Sequence, residues 1–266
     1  MDKTTIIGII LGILAVGVGL VLKGASLLAL LNPAAIIIIF VGTAAAVLVA
    51  TPVNDIKRVP ALLRVIFREQ DLPTLEEMLP KFVHWATIAR KEGLLALEQE
   101  IEHEPDPFLK NGMKMAIDGY TPELLRDMME GELEAMEERH ASGAAIFTQA
   151  GIYAPTLGVL GAVVGLIAAL GNLDDIETLG PAIAAAFMAT LFGIFSGYVL
   201  WHPFANKLRV KSQQEVRLKQ VMIEAVLAIQ EGVSPRVIEE KILAYTPSSS
   251  RKSVDQLIEK GEALDG

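Results

Sequence analysis

Four long apolar runs, none of which contains a charged residue, constrain this chain more than any other feature. They cover about residues 6–22, 34–50, 147–171 and 181–201, and none contains Asp, Glu, Lys or Arg. An α-helix needs about 20 residues to cross the roughly 30 Å of hydrocarbon in a bilayer. The runs therefore predict four transmembrane helices. The first run, preceded by Lys3, also has the length of a signal peptide. A second run follows almost at once, so we interpret the pair as a membrane hairpin.

Composition narrows the classes of function that the chain can serve. With 52% hydrophobic residues and a mean hydropathy of +0.44, it is too apolar for an ordinary soluble domain. Its formal charge of −9 argues against a nucleic-acid binder, which needs a basic face. The sequence has no cysteine and its four histidines are scattered, so we expect no disulfide, no metal site and no cofactor. The sequence contains neither a phosphate-binding loop nor a nucleophile elbow, so nothing in it indicates ATP hydrolysis or acyl transfer.

Basic residues predict the orientation of the four helices. The two links that join the helices of each hairpin, about residues 23–33 and 172–180, contain only Lys23 of the 23 Lys and Arg residues. Cytoplasmic loops carry the excess of Lys and Arg in membrane proteins. Both termini and the segment between the second and third helices are therefore expected in the cytoplasm.

These patterns together predict an all-α membrane protein. Residues 1–51 and 147–201 are expected to form transmembrane hairpins. Residues 52–146 are expected to form a helical cytoplasmic domain, and residues 202–266 a cytoplasmic helix with a disordered tail from Thr246.

Local signals predict helices inside the cytoplasmic parts. Thr74 and Glu77 have the spacing of a capping box, and Thr121 precedes a helix with Pro122 at its first position. That helix is expected to continue into the third span. Its apolar stripe suits internal packing better than a partner site, and consists of Leu125, Met129, Leu133 and Met136.

Small residues mark the third and fourth spans. They allow close helix contact where lipid provides no hydrophobic drive between helices, and we take them to indicate a homo-oligomer. The glycines concerned are Gly158, Gly161 and Gly165 in span three, and Gly193 and Gly197 in span four. Pro155 inside span three predicts either a fixed kink or a hinge. Pro203 marks the exit of span four, and Trp201 is expected to be an interfacial aromatic anchor.

No span contains a titratable side chain that could carry a proton across the bilayer. Proton pathways normally use an ionisable group at depth, whereas threonine and serine hydroxyls do not change protonation near neutral pH. If this chain handles ions, the carboxylate must come from another membrane protein.

Three segments carry a resemblance to a known family. They are AGIYAPTLGVLGAVVGLIAALGN at residues 150–172, AAAFMATLFGIFSGYVLWHPFANKL at 184–208, and ARKEGLLALE at 89–98. In these segments and in the order of its parts, the chain resembles the MotA family of flagellar stator subunits over essentially its whole length.

The resemblance implies a ring of five chains in the bacterial cell membrane around a pair of MotB-like, one-span subunits. Those partners would supply the membrane aspartate and a peptidoglycan-binding domain. Arg90 and Glu98 match the family's charged pair that faces the rotor protein FliG. Thr190 matches its hydroxyl facing the partner carboxylate, and Pro155 and Pro203 match its two prolines.

The coupling ion follows from one position. Sodium-driven relatives carry threonine seven residues after the span-three proline, where this chain has Ala162. Because Na⁺ needs several oxygen ligands, alanine there favours a proton. The alternatives are a sodium-driven stator subunit and an ExbB/TolQ-like energiser, which usually has three spans. A solute transporter or a scaffold without an ion role is a more distant alternative.

Overall fold

The computed structural model describes residues 2–25, 27–171 and 176–245, and within these ranges the chain is helical and contains no strand. The helices of the first half are α1 (Lys3–Leu22), α2 (Pro33–Ile36), α3 (Gly42–Ala50), α4 (Val53–Ile56), α5 (Val59–Phe67), α6 (Leu75–Glu92), α7 (Glu98–Glu102) and α8 (Pro107–Ile117). Those of the second half are α9 (Pro122–Leu170), α10 (Ile176–Phe195), α11 (His202–Gln230) and α12 (Pro235–Leu243). The all-α fold class is confirmed.

Two π-helical segments interrupt the apolar helices. Ile37–Val41 joins α2 to α3, and Ser196–Trp201 joins α10 to α11. Short 3₁₀ segments lie at Leu27–Leu30 and Leu94–Leu97.

Four helical stretches are long and apolar enough to cross a membrane: Lys3–Leu22, Pro33–Ala50, Pro122–Leu170 and Leu179–Gln230. The prediction of four spans is confirmed by length and composition. The fourth helix begins at Ile176, earlier than the predicted start near Pro181, and contains Pro181 as its sixth residue.

The chain divides into two compact units. The described parts of Met1–Gln70 and Arg139–Lys211 form the membrane unit, and those of Asp71–Glu138 and Ser212–Gly266 form the helical unit. These divisions fall at other positions than the domain boundaries expected from the apolar runs. The reason is that α9 and α11 continue without a break past the ends of the apolar runs, and α5 packs into the membrane unit through Ile66.

The core of the membrane unit contains a buried stripe on the second span and an aromatic cluster. The stripe has a four-residue period and consists of Ala35, Ile39, Thr43 and Val47. In the cluster, the rings of Phe147 and Phe204 lie 6.4 and 6.2 Å from the ring of Trp201. The indole nitrogen of Trp201 is buried, so the expectation that this residue is an interfacial anchor is wrong. An anchor holds its N–H in the polar layer of the membrane, whereas this N–H points into the protein.

An ionic network joins three elements of the membrane unit. The Nζ atom of Lys207 lies 2.6 Å from Oδ2 of Asp2, and Nζ of Lys211 lies 3.8 Å from the same oxygen. Lys211 also donates to the backbone oxygens of Val65 and Arg68 at the end of α5, at 2.6 and 2.5 Å. The hydrogen bond from Lys207 holds the pKa of the Asp2 carboxyl well below its usual range, and burial lowers the pKa of the Lys211 amine. The network fastens the start of α1 and the end of α5 to α11.

The helical unit is built around α9 and α11. The capping box predicted at Thr74 and Glu77 is confirmed, since each side chain accepts a hydrogen bond from the other residue's backbone N–H. The predicted start of α9 at Pro122 after Thr121 is confirmed as well. The apolar stripe of α9 is buried in one core with the C-terminal half of α11, which confirms its interpretation as internal packing. The tail from Thr246, expected to be disordered, lies outside the described residues.

Candidate functional site

The third and fourth spans meet backbone to backbone. A Cβ atom added at Gly193 would lie 2.6 Å from the carbonyl oxygen of Ala154 and 2.8 Å from Cα of Gly158. One added at Gly158 would lie 2.9 Å from the carbonyl oxygen of Ala189. Real Cβ contacts essentially never fall below 3.0 Å, so both positions need glycine at this separation of the helices. We call this contact between α9 and α10 the glycine seam.

The other predicted glycines extend the seam in both directions. Added Cβ atoms at Gly161 and Gly165 would lie 3.1 and 3.0 Å from Cβ of Ala189 and Ala186. At Gly197 the added atom would lie 2.9 Å from Cγ of Pro155. The glycines are thus used inside one chain, so contacts with a second copy have to involve other residues.

Pro155 leaves a backbone acceptor free at the seam. Because proline has no N–H, the carbonyl of Gly151 four residues earlier loses its helical hydrogen bond. That oxygen would lie 3.0 Å from a Cβ atom at Gly197, so it faces the fourth span. Helix α9 continues through Pro155 from Pro122 to Leu170, and both the kink and the hinge interpretations stay predictions.

Thr190 and Ala162 each directly follow a residue of the seam, Ala189 and Gly161. Ala162 follows Pro155 by seven residues, which places both on one side of α9. Thr190 directly follows Ala189, whose atoms approach Gly158 and Gly161, so it lies at the level between Pro155 and Ala162. Both Thr190 and Ala162 are half-buried.

The surface beside Thr190 is apolar and open. Phe187, Ile194 and Tyr198 of the fourth span are 67%, 49% and 65% exposed. On the third span Ile152, Val159 and Val163 are similarly exposed. Contiguous exposed apolar surface of this kind indicates lipid or partner helices. Thr190 therefore adds a hydroxyl to a face that is mainly apolar.

Pro203 lies at the second position of α11, directly after the π-helical segment Ser196–Trp201, and is exposed. Its neighbour His202 packs into the seam, since a Cβ atom at Gly151 would lie 2.8 Å from the imidazole ring. The span exit is thus a π-to-α transition.

Arg90 and Glu98 lie in the helical unit on either side of a sharp turn. Arg90 is in the last turn of α6, which is followed by the C-cap residue Gly93 with φ +90°, and Glu98 is the first residue of α7. Both are exposed, and buried Leu97 fixes the turn between them. Within the residues that the structure describes, neither forms an ion pair, with the other or with a third group. Both charges are available to a partner.

Sequence reasoning missed two features of the membrane unit. One is the Asp2–Lys207–Lys211 network. Its signal in the sequence is an acidic residue just before the first span and two lysines just after the fourth. The other is the pair of unpartnered buried atoms, Thr43 Oγ1 and Trp201 Nε1, for which the sequence offers no signal. Across residues 2–25, 27–171 and 176–245, no group of three or more acidic or histidine side chains is placed to hold a metal.

Comparison with known proteins places this arrangement in a family. Residues 6–93 match the model "Motility protein A N-terminal", and residues 100–221 match the MotA/TolQ/ExbB proton channel family. Motility protein A of Bacillus subtilis is 60% identical over 266 residues, covering 100% of this chain and 97% of the relative.

Solved structures agree over nearly the same length. A chain of the flagellar MotAB stator complex from Bacillus subtilis superposes with a TM-score of 0.90 at 61% identity, covering 95% of this chain and 99% of that one. The C. jejuni MotAB structure matches with a TM-score of 0.88 at 33% identity, covering 93% and 97%. The chain therefore belongs to the motility protein A family, within the MotA/TolQ/ExbB proton channel family.

Proposed function

We propose that this chain is a stator subunit of a bacterial flagellar motor, which converts ion flow across the cell membrane into torque on the rotor. The observation that carries the proposal is the 60% identity to motility protein A along the entire chain. The N-terminal model matched by residues 6–93 favours this role over an ExbB/TolQ-like energiser.

The channel is completed by a second protein. The faces of α9 and α10 beside Thr190 offer hydroxyl groups and apolar side chains, and the spans contain no Asp, Glu, Lys or Arg. A MotB-like, one-span subunit with a peptidoglycan-binding domain supplies the membrane aspartate, which Thr190 faces. Five copies of this chain surround a pair of those partners. The solved relatives are described as MotAB complexes, which supports such a partner.

The transported ion is the proton. Ala162 offers no side-chain oxygen at the level of Thr190, and a proton needs only the partner carboxylate and a hydrogen-bonded path. One charge that crosses about 100 mV yields about 2.3 kcal/mol. That is several times RT, enough to bias a stepwise rotation of the ring.

Arg90 and Glu98 contact the rotor protein FliG from the cytoplasm, where both termini also lie. Exposed charge pairs contribute about 0–1 kcal/mol each. Weak contacts suit a stator that engages and releases the rotor repeatedly.

The motor role is tested in cells without stators of their own. Expression of this chain together with its one-span partner should restore rotation of tethered cells, and either protein alone should not. An energiser of other envelope processes, or a scaffold, restores no rotation even when both proteins reach the membrane.

The rotor contact is tested with Arg90→Glu in the same cells. The variant should reduce torque while its level in the membrane stays normal. Arg217→Glu is the matched control, because Arg217 is also an exposed arginine of the helical unit. Equal torque in both variants would remove the assignment of Arg90.

The coupling ion is tested by swimming speed as external sodium is removed at constant membrane potential. Proton coupling predicts an unchanged speed. A swimming speed that depends strictly on sodium would show instead that this chain is a subunit of a sodium-driven stator.

A further inference from the structure

Three buried polar side-chain atoms of the membrane unit have no hydrogen-bond partner among the described residues. One is Oε1 of Gln70, which follows α5; the other two, Oγ1 of Thr43 and Nε1 of Trp201, belong to the apolar spans. Thr43 as a whole is 2% exposed. Buried polar groups in native proteins are nearly always paired, with protein atoms or with ordered water. Two unpaired polar atoms in the spans of one helix bundle therefore need an explanation.

Both residues are connected to the same two hydrophobic clusters. Thr43 lies on the buried stripe of the second span, four residues after Ile39 and four before Val47. Trp201 packs against the cluster that contains Ile39 and also against the cluster that contains Val47. Trp201 therefore packs against the two clusters that contain the stripe residues on either side of Thr43.

The Thr43 hydroxyl lacks a hydrogen bond that other threonines of the spans form. A helical threonine commonly donates to the carbonyl four residues earlier. Thr148 and Thr156 do so in the third span, to Ala144 and Ile152 at 3.2 and 3.3 Å. Thr43 follows the π-helical segment Ile37–Val41 and Gly42, where the Gly42 N–H is shared between the carbonyls of Ile37 and Ile39. The Thr43 hydroxyl makes no such bond to the helix among the described residues.

Trp201 is also placed by a π-helical segment, since it is the last residue of Ser196–Trp201. Such segments are rare and occur frequently at functional sites. Here one segment ends two residues before Thr43 and the other ends at Trp201, in helices that are far apart in the sequence.

We propose that Thr43 and Trp201 hold one buried water molecule between the second, third and fourth spans. Water accepts from the indole N–H and exchanges a hydrogen bond with the hydroxyl, which gives it at least two polar partners, as a buried water requires. A cation is excluded because the indole presents only a donor. An anion is disfavoured because the spans contain no Lys or Arg. The site is separate from the face that carries Thr190 and does not depend on the motor function.

Tryptophan emission of the purified full-length protein tests the site. An indole that is hydrogen-bonded to water emits at longer wavelength than an unpaired buried indole. Thr43→Val keeps the shape of the side chain and removes the hydroxyl, so the Trp201 emission should shift to shorter wavelength. Thr43→Ser keeps the hydroxyl and should emit as the unaltered protein does. Trp85 is the other tryptophan of the chain. Its emission is the same in all three proteins and cancels in the difference spectra.

Two controls separate the site from general effects. Thr156→Val removes an exposed hydroxyl from the third span and should leave the spectrum unchanged. Trp201→Phe identifies the part of the emission that belongs to Trp201. A shift common to Thr43→Val and Thr156→Val, or no shift in either, overturns the proposal.

A density map at a resolution that shows ordered water gives a second measurement, needed if Thr43→Val does not fold. A peak within hydrogen-bond distance of both Thr43 Oγ1 and Trp201 Nε1 supports the proposal. An empty space, or a direct bond between the two side chains, overturns it.

Discussion

Substitution of Gly193 by alanine tests the glycine seam most directly. The new Cβ atom would lie 2.6 Å from the carbonyl oxygen of Ala154, against 3.4 Å for the shortest ordinary contact. The two nearest atoms, the Ala154 carbonyl oxygen and Gly158 Cα, belong to the backbone of α9, so no side chain can rotate away. The helices must therefore separate by roughly 0.8 Å, the difference between 3.4 and 2.6 Å.

Such overpacking typically costs about 1–3 kcal/mol. The helix preference of alanine over glycine offsets about 0.5–1 kcal/mol of that cost. We therefore expect Gly193→Ala to lower the free energy of unfolding by about 1–2 kcal/mol, or about tenfold in the equilibrium constant. Gly161→Ala should cost less, because its nearest neighbour is the Cβ atom of Ala189 at 3.1 Å.

Reversible unfolding of the purified protein in mixed micelles measures these differences. Gly19→Ala is the matched control, since it lies in the first span and a Cβ atom there meets nothing within 4 Å. It should be neutral or slightly stabilising. The reasoning about the seam fails if Gly193→Ala is as stable as Gly19→Ala, or if Gly161→Ala is the more damaging of the two seam variants.

Three further predictions concern the ionic network and the capping box. The folded-state pKa of Asp2 is lowered, so its contribution to stability is complete above the unfolded-state value of about 3.9 and is lost as the pH falls below it. Asp2→Asn should therefore lower the melting temperature at pH 7 and remove this part of the acid dependence; an acid limb identical to that of the unaltered protein would contradict the assignment. Lys211→Met leaves two carbonyls at the end of α5 without their donor and should cost about 1–3 kcal/mol in a thermal unfolding assay, whereas Lys207→Met, which keeps those bonds, should cost less. Thr74→Ala removes the capping box shared with Glu77 and should cost about 1 kcal/mol by the same assay, with no loss expected from a conservative Thr74→Ser change.

Much of the fold follows from local signals, because each acts within a few residues. The four apolar runs predict four spans from length alone, and the capping box at Thr74 locates the start of α6. The continuity of α9 is partly visible in the sequence, since Pro155 is the only proline between Pro122 and Leu170.

The features that sequence reasoning missed depend on contacts between distant segments. A π-helical segment inserts one residue into a helical turn, and neither Ile37–Val41 nor Ser196–Trp201 has a composition that distinguishes it from α-helix. Trp201 occurs where an interfacial anchor is expected, and only its packing against Phe147 and Phe204 places it inside the protein.

In the candidate site, too, some features follow from local sequence signals and others depend on contacts between distant segments. Small residues predict close helix contact, but the pairing of Gly193 with Gly158 depends on the register of two helices. Arg90 and Glu98 are ordinary exposed charges by their surroundings, and their role at the rotor rests on the resemblance and stays a prediction.

The glycine seam also bears on how the third and fourth spans can move. Helices that interlock through large side chains must lift apart before one can slide along the other. Where Gly158 meets Gly193, the facing surfaces are main chain, without knobs that fit into holes. A small axial displacement of one span along the other therefore disrupts no interdigitated side chains at this level. The two spans can shift along each other while they stay closely packed.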